Sequence, residues 1–69
     1  MVPIKSYLAD SLVDKQVHFR CDCLLNIDVI GTVKGWKINN NEILWEVHTQ
    51  NGKIITIGEN HPNMYIKIL

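Results

Sequence analysis

The sequence has no excess of either charge, because seven Lys and Arg residues balance seven Asp and Glu residues. A dedicated nucleic-acid-binding protein usually carries excess positive charge, since neutralising phosphates supplies most of its affinity. The sequence also lacks the run of about 18 apolar residues that a membrane-spanning helix needs, and residues 1–6 show no signal-peptide pattern. These absences predict a soluble cytoplasmic protein that does not act at a membrane, and they do not favour nucleic acid as its partner.

Cysteine is scarce, and only Cys21 and Cys23 are present. On a strand they share a face with Val17 and Phe19, which predicts packing in a core, where free cysteine is common. His18 falls on the opposite face of that strand, so thiolates and imidazole do not converge on a metal ion. A disulfide between residues two apart on one strand is geometrically poor. We therefore expect reduced thiols, no metal and no cofactor.

The sequence also lacks a recognisable catalytic pattern. Residues 31–35 contain two glycines and a lysine but not the spacing of a phosphate-binding loop. Glu42, Glu46 and His48 share one face of a predicted strand, yet acid–base catalysis needs a cleft and shifted pKa values, which a short exposed strand rarely provides. A solvated strand face explains these residues better. We predict no catalytic residues.

Alternating hydrophobic residues are what the sequence does contain. They make up 46% of the chain, enough for one folded domain spanning residues 1–69. The strongest pattern is a hairpin within residues 42–58. A three-residue loop ending at Gly52 pairs Val47 with Ile55 and gives the glycine a left-handed position. A two-residue loop would turn Ile55 to the polar face, so the apolar pattern selects the three-residue loop.

The rest of the chain predicts three more strands. Gly31 and Gly35 indicate that the second strand curls, and a three-residue turn at residues 39–41 would place Gly35 opposite Trp45. The predicted elements outside the hairpin are a short helix or extended arm within residues 3–13 and strands at residues 16–25, 29–38 and 64–69.

Five short strands, with a brief helical turn before the last, predict an all-β fold with minor helix: a small, five-stranded, partly open barrel. This layout resembles the Src-homology-3-like (SH3-like) group. Within that group it is similar to Sm-like RNA-binding proteins, which place a short helix before the first strand, as residues 3–13 would. Gly31, Trp36 and Asn41 echo their central motif, and Gly58 matches a later glycine without the arginine that accompanies it. The resemblance implies RNA binding, although one architecture serves many functions.

Two regions supply candidate binding residues. If Val33 faces the core, regular alternation turns Trp36 outward, whereas a curled strand can switch faces and bury it. An exposed Trp36 beside Lys34, Lys37 and Tyr65 would suit a protein partner or a stacked base. The polar residues 59–63 predict either a self-satisfied turn or a recognition loop. The partner-binding candidates are Trp36, Lys34, Glu59, Asn60, His61 and Tyr65.

These observations lead to three functional hypotheses. The first is a non-catalytic protein-interaction module, such as an inhibitor or accessory subunit, that also self-associates, because an open barrel leaves strand edges free to pair with a copy or a partner. The second is an Sm-like nucleic-acid-binding barrel that uses Trp36, Tyr65 and nearby lysines. The third is a small-ligand binder or enzyme whose pocket forms between subunits.

Overall fold

The computed structural model describes residues 1–22, 27–60 and 63–69. These residues form a single antiparallel sheet of six strands, in the order β1-β6-β2-β3-β4-β5, with two short 3₁₀ segments, η1 and η2. The all-β prediction is therefore confirmed. The elements are β1 (Val2–Pro3), η1 (Ile4–Ser6), η2 (Ala9–Leu12), β2 (Gln16–Cys21), β3 (Asp28–Asn39), β4 (Glu42–Thr49), β5 (Ile54–Gly58) and β6 (Met64–Ile68).

The N-terminal region differs from the prediction. In place of a helix within residues 3–13, η1 and η2 are separated by extended backbone at Tyr7 and Leu8. Serine and aspartate in this region are weak helix formers, which suits isolated 3₁₀ turns. Val2 and Pro3 pair with β6 and add a sixth strand to the five predicted. The sequence did not predict this strand, because two residues are too few to show an alternating pattern.

The core lies on one face of the sheet and is closed by the N-terminal segment. The buried residues of β2 alternate as predicted, at Val17, Phe19 and Cys21, and Ile4 and Leu12 bring the 3₁₀ segments into the same cluster. No polar or charged residue in the described part of the chain is buried. The remaining core residues are Ala9, Val33, Trp45, Val47, Ile57, Met64 and Ile66.

Cys21 departs from one expectation. The residue is buried, as predicted, but it is disulfide-bonded, so the expected reduced thiol is wrong at this position. The geometric argument against a disulfide assumed a regular strand through residue 25, whereas β2 ends at Cys21. Cys23 and the rest of that predicted strand lie outside the described residues.

The β4–β5 hairpin confirms the predicted register. Val47 pairs with Ile55, and Trp45 pairs with Ile57. Gly52 has a φ of 84°, the left-handed position that the three-residue loop requires. The Gly52 N–H donates to the Thr49 carbonyl at 3.1 Å. The alternating pattern and one glycine were sufficient to fix this part of the fold.

The β3–β4 hairpin corrects the predicted turn. Asn39 pairs with Glu42, so the loop contains only Asn40 and Asn41, and both have positive φ, as a type I′ turn requires. The shorter loop shifts the pairing by one residue. A β-bulge at Lys34, between Val33 and Gly35, restores it, so the predicted pair of Val33 with Val47 is kept.

Candidate interaction site

The bulge at Lys34 determines where Trp36 lies. Beyond it, Gly35 pairs with Glu46, and Trp36 rather than Gly35 pairs with Trp45, so the predicted opposition of Gly35 and Trp45 is wrong. Residues that pair directly across two strands share a face, so Trp36 and the buried Trp45 lie on the same side of the sheet. Trp36 therefore changes face, as one of the two alternatives expected, but it is not buried as that alternative also expected, because 38% of the residue is exposed.

Both tryptophans donate a hydrogen bond from the sheet to η2. The Trp45 indole N–H donates to the Ala9 carbonyl at 3.2 Å, and the Trp36 indole N–H donates to the Asp10 carboxylate at 2.6 Å. Trp36 also lines an open groove together with Leu8, which is 81% exposed. Trp36 therefore has a structural role at the rim of the core, and its remaining exposed surface lies beside an acidic group.

Glu59 and Asn60, which follow β5, are hydrogen-bonded to β4. The Glu59 N–H donates to the Ile43 carbonyl at 3.0 Å, and the Ile43 N–H donates to the Glu59 carboxylate at 3.4 Å. The Asn60 N–H donates to the Glu42 carboxylate at 3.0 Å. Glu59 and Asn60 are therefore held by hydrogen bonds to β4, and the self-satisfied turn predicted for residues 59–63 is not decided by these contacts. His61, another candidate in this segment, lies outside the described residues.

The structure divides the described candidates into separate groups. Glu59, Asn60 and Tyr65 line one cavity of about 260 Å³, which the sequence did not predict. Among the described residues, the cavities lined by Trp36 and those lined by Tyr65 have no residue in common, and β2 lies between their strands in the sheet. Lys34 is exposed at the bulge. The contact surface predicted from Trp36 and Tyr65 together is therefore not assembled.

Strand β5 lies at one edge of the sheet formed by the described residues. The sequence predicted that an open barrel leaves strand edges free, but not that β5 is one of them. The Thr49 N–H donates to the Lys53 carbonyl at 2.9 Å, and the Glu59 N–H donates to the Ile43 carbonyl at 3.0 Å. Antiparallel pairs alternate between hydrogen-bonded and non-hydrogen-bonded positions, so the odd-numbered residues of 53–59 bond to β4. The backbone groups of the three even-numbered residues, Ile54, Thr56 and Gly58, point away from β4.

That side of β5 has no neighbouring strand among the described residues. Ile54 is 63% exposed, and Thr56 is also exposed. The strand itself contains no charged residue, whereas Lys53 precedes it and Glu59 follows it. Natural proteins often protect such an edge with a charge or a proline inside the strand, and β5 has neither. The signal available in the sequence was this uncharged segment between two opposite charges.

A shallow cavity of about 230 Å³ adjoins the edge. Thr56 on β5, Glu46 on β4 and Gly35 on β3 form one row across the outer face of the sheet, and all three line this cavity together with Trp36, Lys37 and Leu44. Glu46 and His48 contact each other on the same strand, with 2.9 Å between Oε2 and Nε2. The edge therefore offers the outward backbone groups of β5 beside a cavity that both polar and apolar side chains line.

Two further properties bear on function. Within residues 1–22, 27–60 and 63–69, no three His, Cys, Asp or Glu side chains are grouped so that they could hold a metal ion. None of the helical segments in the same ranges has the length and apolar character needed to cross a membrane. In comparisons with protein-family models, curated proteins and solved structures, the chain matches none of them.

Proposed function

We propose that the chain is a non-catalytic protein-interaction module that binds an extended segment of a partner along the edge of β5. One observation carries this proposal: Ile54, Thr56 and Gly58 direct their backbone N–H and C=O groups to a side without a neighbouring strand in the described part of the chain. An added strand would gain affinity from these groups. The adjoining cavity at Thr56 and Glu46 would receive one of its side chains.

The length of β3 bears on how the sheet curls. A straight strand of twelve residues would be about 40 Å long, whereas the largest extent of the molecule is 25 Å, so the twelve-residue β3 must bend. We infer that the sheet curls into an SH3-like, partly open barrel, with β5 at its open side. The bulge at Lys34 supports this inference, because bulges bend strands.

A backbone-resolved experiment tests the proposal. Random ten-residue peptides displayed on phage are selected on the immobilised protein, and amide hydrogen exchange is then measured by NMR with and without a selected peptide. In dilute protein alone, the amides of Ile54, Thr56 and Gly58 should exchange faster than those of Ile55 and Ile57, which face β4. The bound peptide should slow exchange at the three outward amides.

A matched pair of variants controls this experiment. Thr56→Pro removes the outward N–H and should abolish peptide binding, whereas Thr56→Val keeps that N–H and should retain binding. If no peptide is selected and the chain also stays monomeric, or if selected peptides bind without protecting Ile54, Thr56 and Gly58, the proposed edge site is wrong.

The nucleic-acid alternative stays a prediction and receives no specific support. Trp36 and Tyr65 line separate cavities, so they do not provide adjacent stacking platforms for successive bases. The Asp10 carboxylate at the Trp36 indole would also repel a phosphate backbone. The ligand-binding alternative requires a second subunit and gains no independent observation.

A further inference from the structure

We propose that the segment that fits the β5 edge is β5 of a second copy of this chain, paired antiparallel about a two-fold axis at Thr56. This inference rests on the proposed function, because it uses the same edge and names its occupant. The resulting dimer would join two sheets into one continuous antiparallel sheet. Three features of β5 and its flanks lead to this arrangement.

The first feature is the position of the outward backbone groups. With the axis at Thr56, this residue faces its own copy, and Ile54 faces Gly58 of the other copy. All three outward residues then meet outward residues, which gives about six hydrogen bonds across the axis. An axis at Ile55 or Ile57 would leave one outward residue of β5 without a counterpart, so the alternation along β5 favours Thr56.

The second feature is the charge at the two ends of β5. The same axis places Lys53 of one copy opposite Glu59 of the other, and symmetry repeats this pair at the opposite end. Opposite charges that face each other across strands stabilise the pairing, and like charges destabilise it. Lys53 is exposed, and Glu59 is half-buried. The flanking charges therefore complement each other in this register.

The third feature is the surface around Gly58. A Cβ atom at this position would lie 2.5 Å from a Glu42 carboxylate oxygen and 3.1 Å from Leu44 Cδ2, so these two side chains lie over the glycine. Ile54 of the second copy, opposite Gly58, would contact Leu44 there. This contact would cover Ile54, which is 63% exposed in the single chain.

Sedimentation velocity across a concentration series tests the self-pairing. The wild-type chain should shift from monomer to dimer, and amide exchange at Ile54, Thr56 and Gly58 should slow as the dimer forms. Thr56→Pro should remain monomeric, whereas Thr56→Val should dimerise like the wild type. A chain that stays monomeric at all concentrations, a Thr56→Pro variant that still dimerises, or growth beyond two copies would overturn the inference.

Charge reversal tests the register without relying on proline. Lys53→Glu should weaken dimerisation by about tenfold, because it creates two like-charged pairs, and adding Glu59→Lys in the same chain should restore it. Circular dichroism checks that each variant is folded. If the folded double variant dimerises no better than Lys53→Glu alone, the register about Thr56 is wrong.

The two proposals fail in different ways. Peptide binding that protects the β5 amides, in a chain that never dimerises, would leave the edge site standing and remove only the second copy as its occupant. A dimer whose formation leaves the three β5 amides unprotected would overturn the self-pairing. Absence of both peptide binding and dimerisation would overturn both proposals.

Discussion

Trp45 and Trp36 face each other across β4 and β3, and both donate an indole hydrogen bond to η2, but their environments differ. Trp45 is fully buried and bonds to a backbone carbonyl, whereas Trp36 is 38% exposed and bonds to a carboxylate. The bulge at Lys34 places Trp36 on the core side at the rim of the core. Sharing a face with the core therefore does not by itself make a residue part of it.

The largest effect should come from removing the buried member of this pair. Trp45→Ala should destabilise the protein by about 3–5 kcal/mol, because it leaves a large cavity and removes the indole hydrogen bond to the Ala9 carbonyl. In so small a chain, this loss approaches the whole stability. Trp36→Ala should cost less than half as much. Urea denaturation followed by circular dichroism measures both, and equal losses would contradict the distinction between core and rim.

The glycines on either side of the bulge extend the comparison. A Cβ atom at Gly31 would lie 2.7 Å from the His48 carbonyl oxygen, which is backbone and cannot move aside easily. Gly31→Ala should therefore cost about 1–3 kcal/mol. A Cβ atom at Gly35 would meet no atom of the described residues within 4 Å, so Gly35→Ala should change stability by less than about 0.5 kcal/mol. Thermal unfolding of the two variants side by side checks this, and a larger loss at Gly35 would contradict it.

The hydrogen bond of Trp36 allows a finer test. Trp36→Phe and Asp10→Asn, made singly and together, form a double-mutant cycle, in which Phe removes the donor and Asn removes the charge of the acceptor. We expect a coupling free energy of about 1 kcal/mol, because a partly exposed bond to a charged group is modest in strength. Urea denaturation of the four proteins gives the coupling. Strictly additive losses would show that the contact contributes no stability.

The last test concerns the turn that connects the strands of Trp36 and Trp45. Asn41 has a φ of 62°, and Asn-Gly is the preferred sequence in such two-residue loops. Asn41→Gly should stabilise the protein by about 0.5 kcal/mol, whereas Asn41→Ala should destabilise it by about 1 kcal/mol, because alanine is strained at positive φ. The midpoints of urea unfolding should fall in that order, and the reverse order would contradict the two-residue turn.

The sequence was sufficient where a local pattern determines the structure. The register of β4 and β5 followed from alternation and from Gly52, which is needed at one position of the loop. Gly31 and Gly35 indicated that this strand curls, but they did not locate the bulge at Lys34, because glycine is compatible with a bulge, a bend or a close backbone approach. The three asparagines at residues 39–41 were compatible with loops of two or three residues. Only the pairing with β4 decides between them.

The candidate site was less predictable than the fold. Glu59, Asn60 and Tyr65 line one cavity with Pro3, Ile4 and Lys5. That cavity depends on the pairing of β1 with β6, which joins residues far apart in the sequence. The sequence predicted free strand edges but, for the same reason, did not identify β5 as one of them. A sequence shows which residues form strands, but the order of strands in the sheet decides which of them is left without a neighbour.

The two-residue strand β1 bears on how far a sheet made from this chain could grow. β1 lies beside β6, at the opposite side of the sheet from β5. Pro3 has no amide hydrogen, so β1 gives an incoming strand almost no template for further hydrogen bonds. A sheet that can be extended on both sides can polymerise into a fibre. Here one side ends at a proline, so pairing through β5 would produce a closed pair of molecules and no polymer.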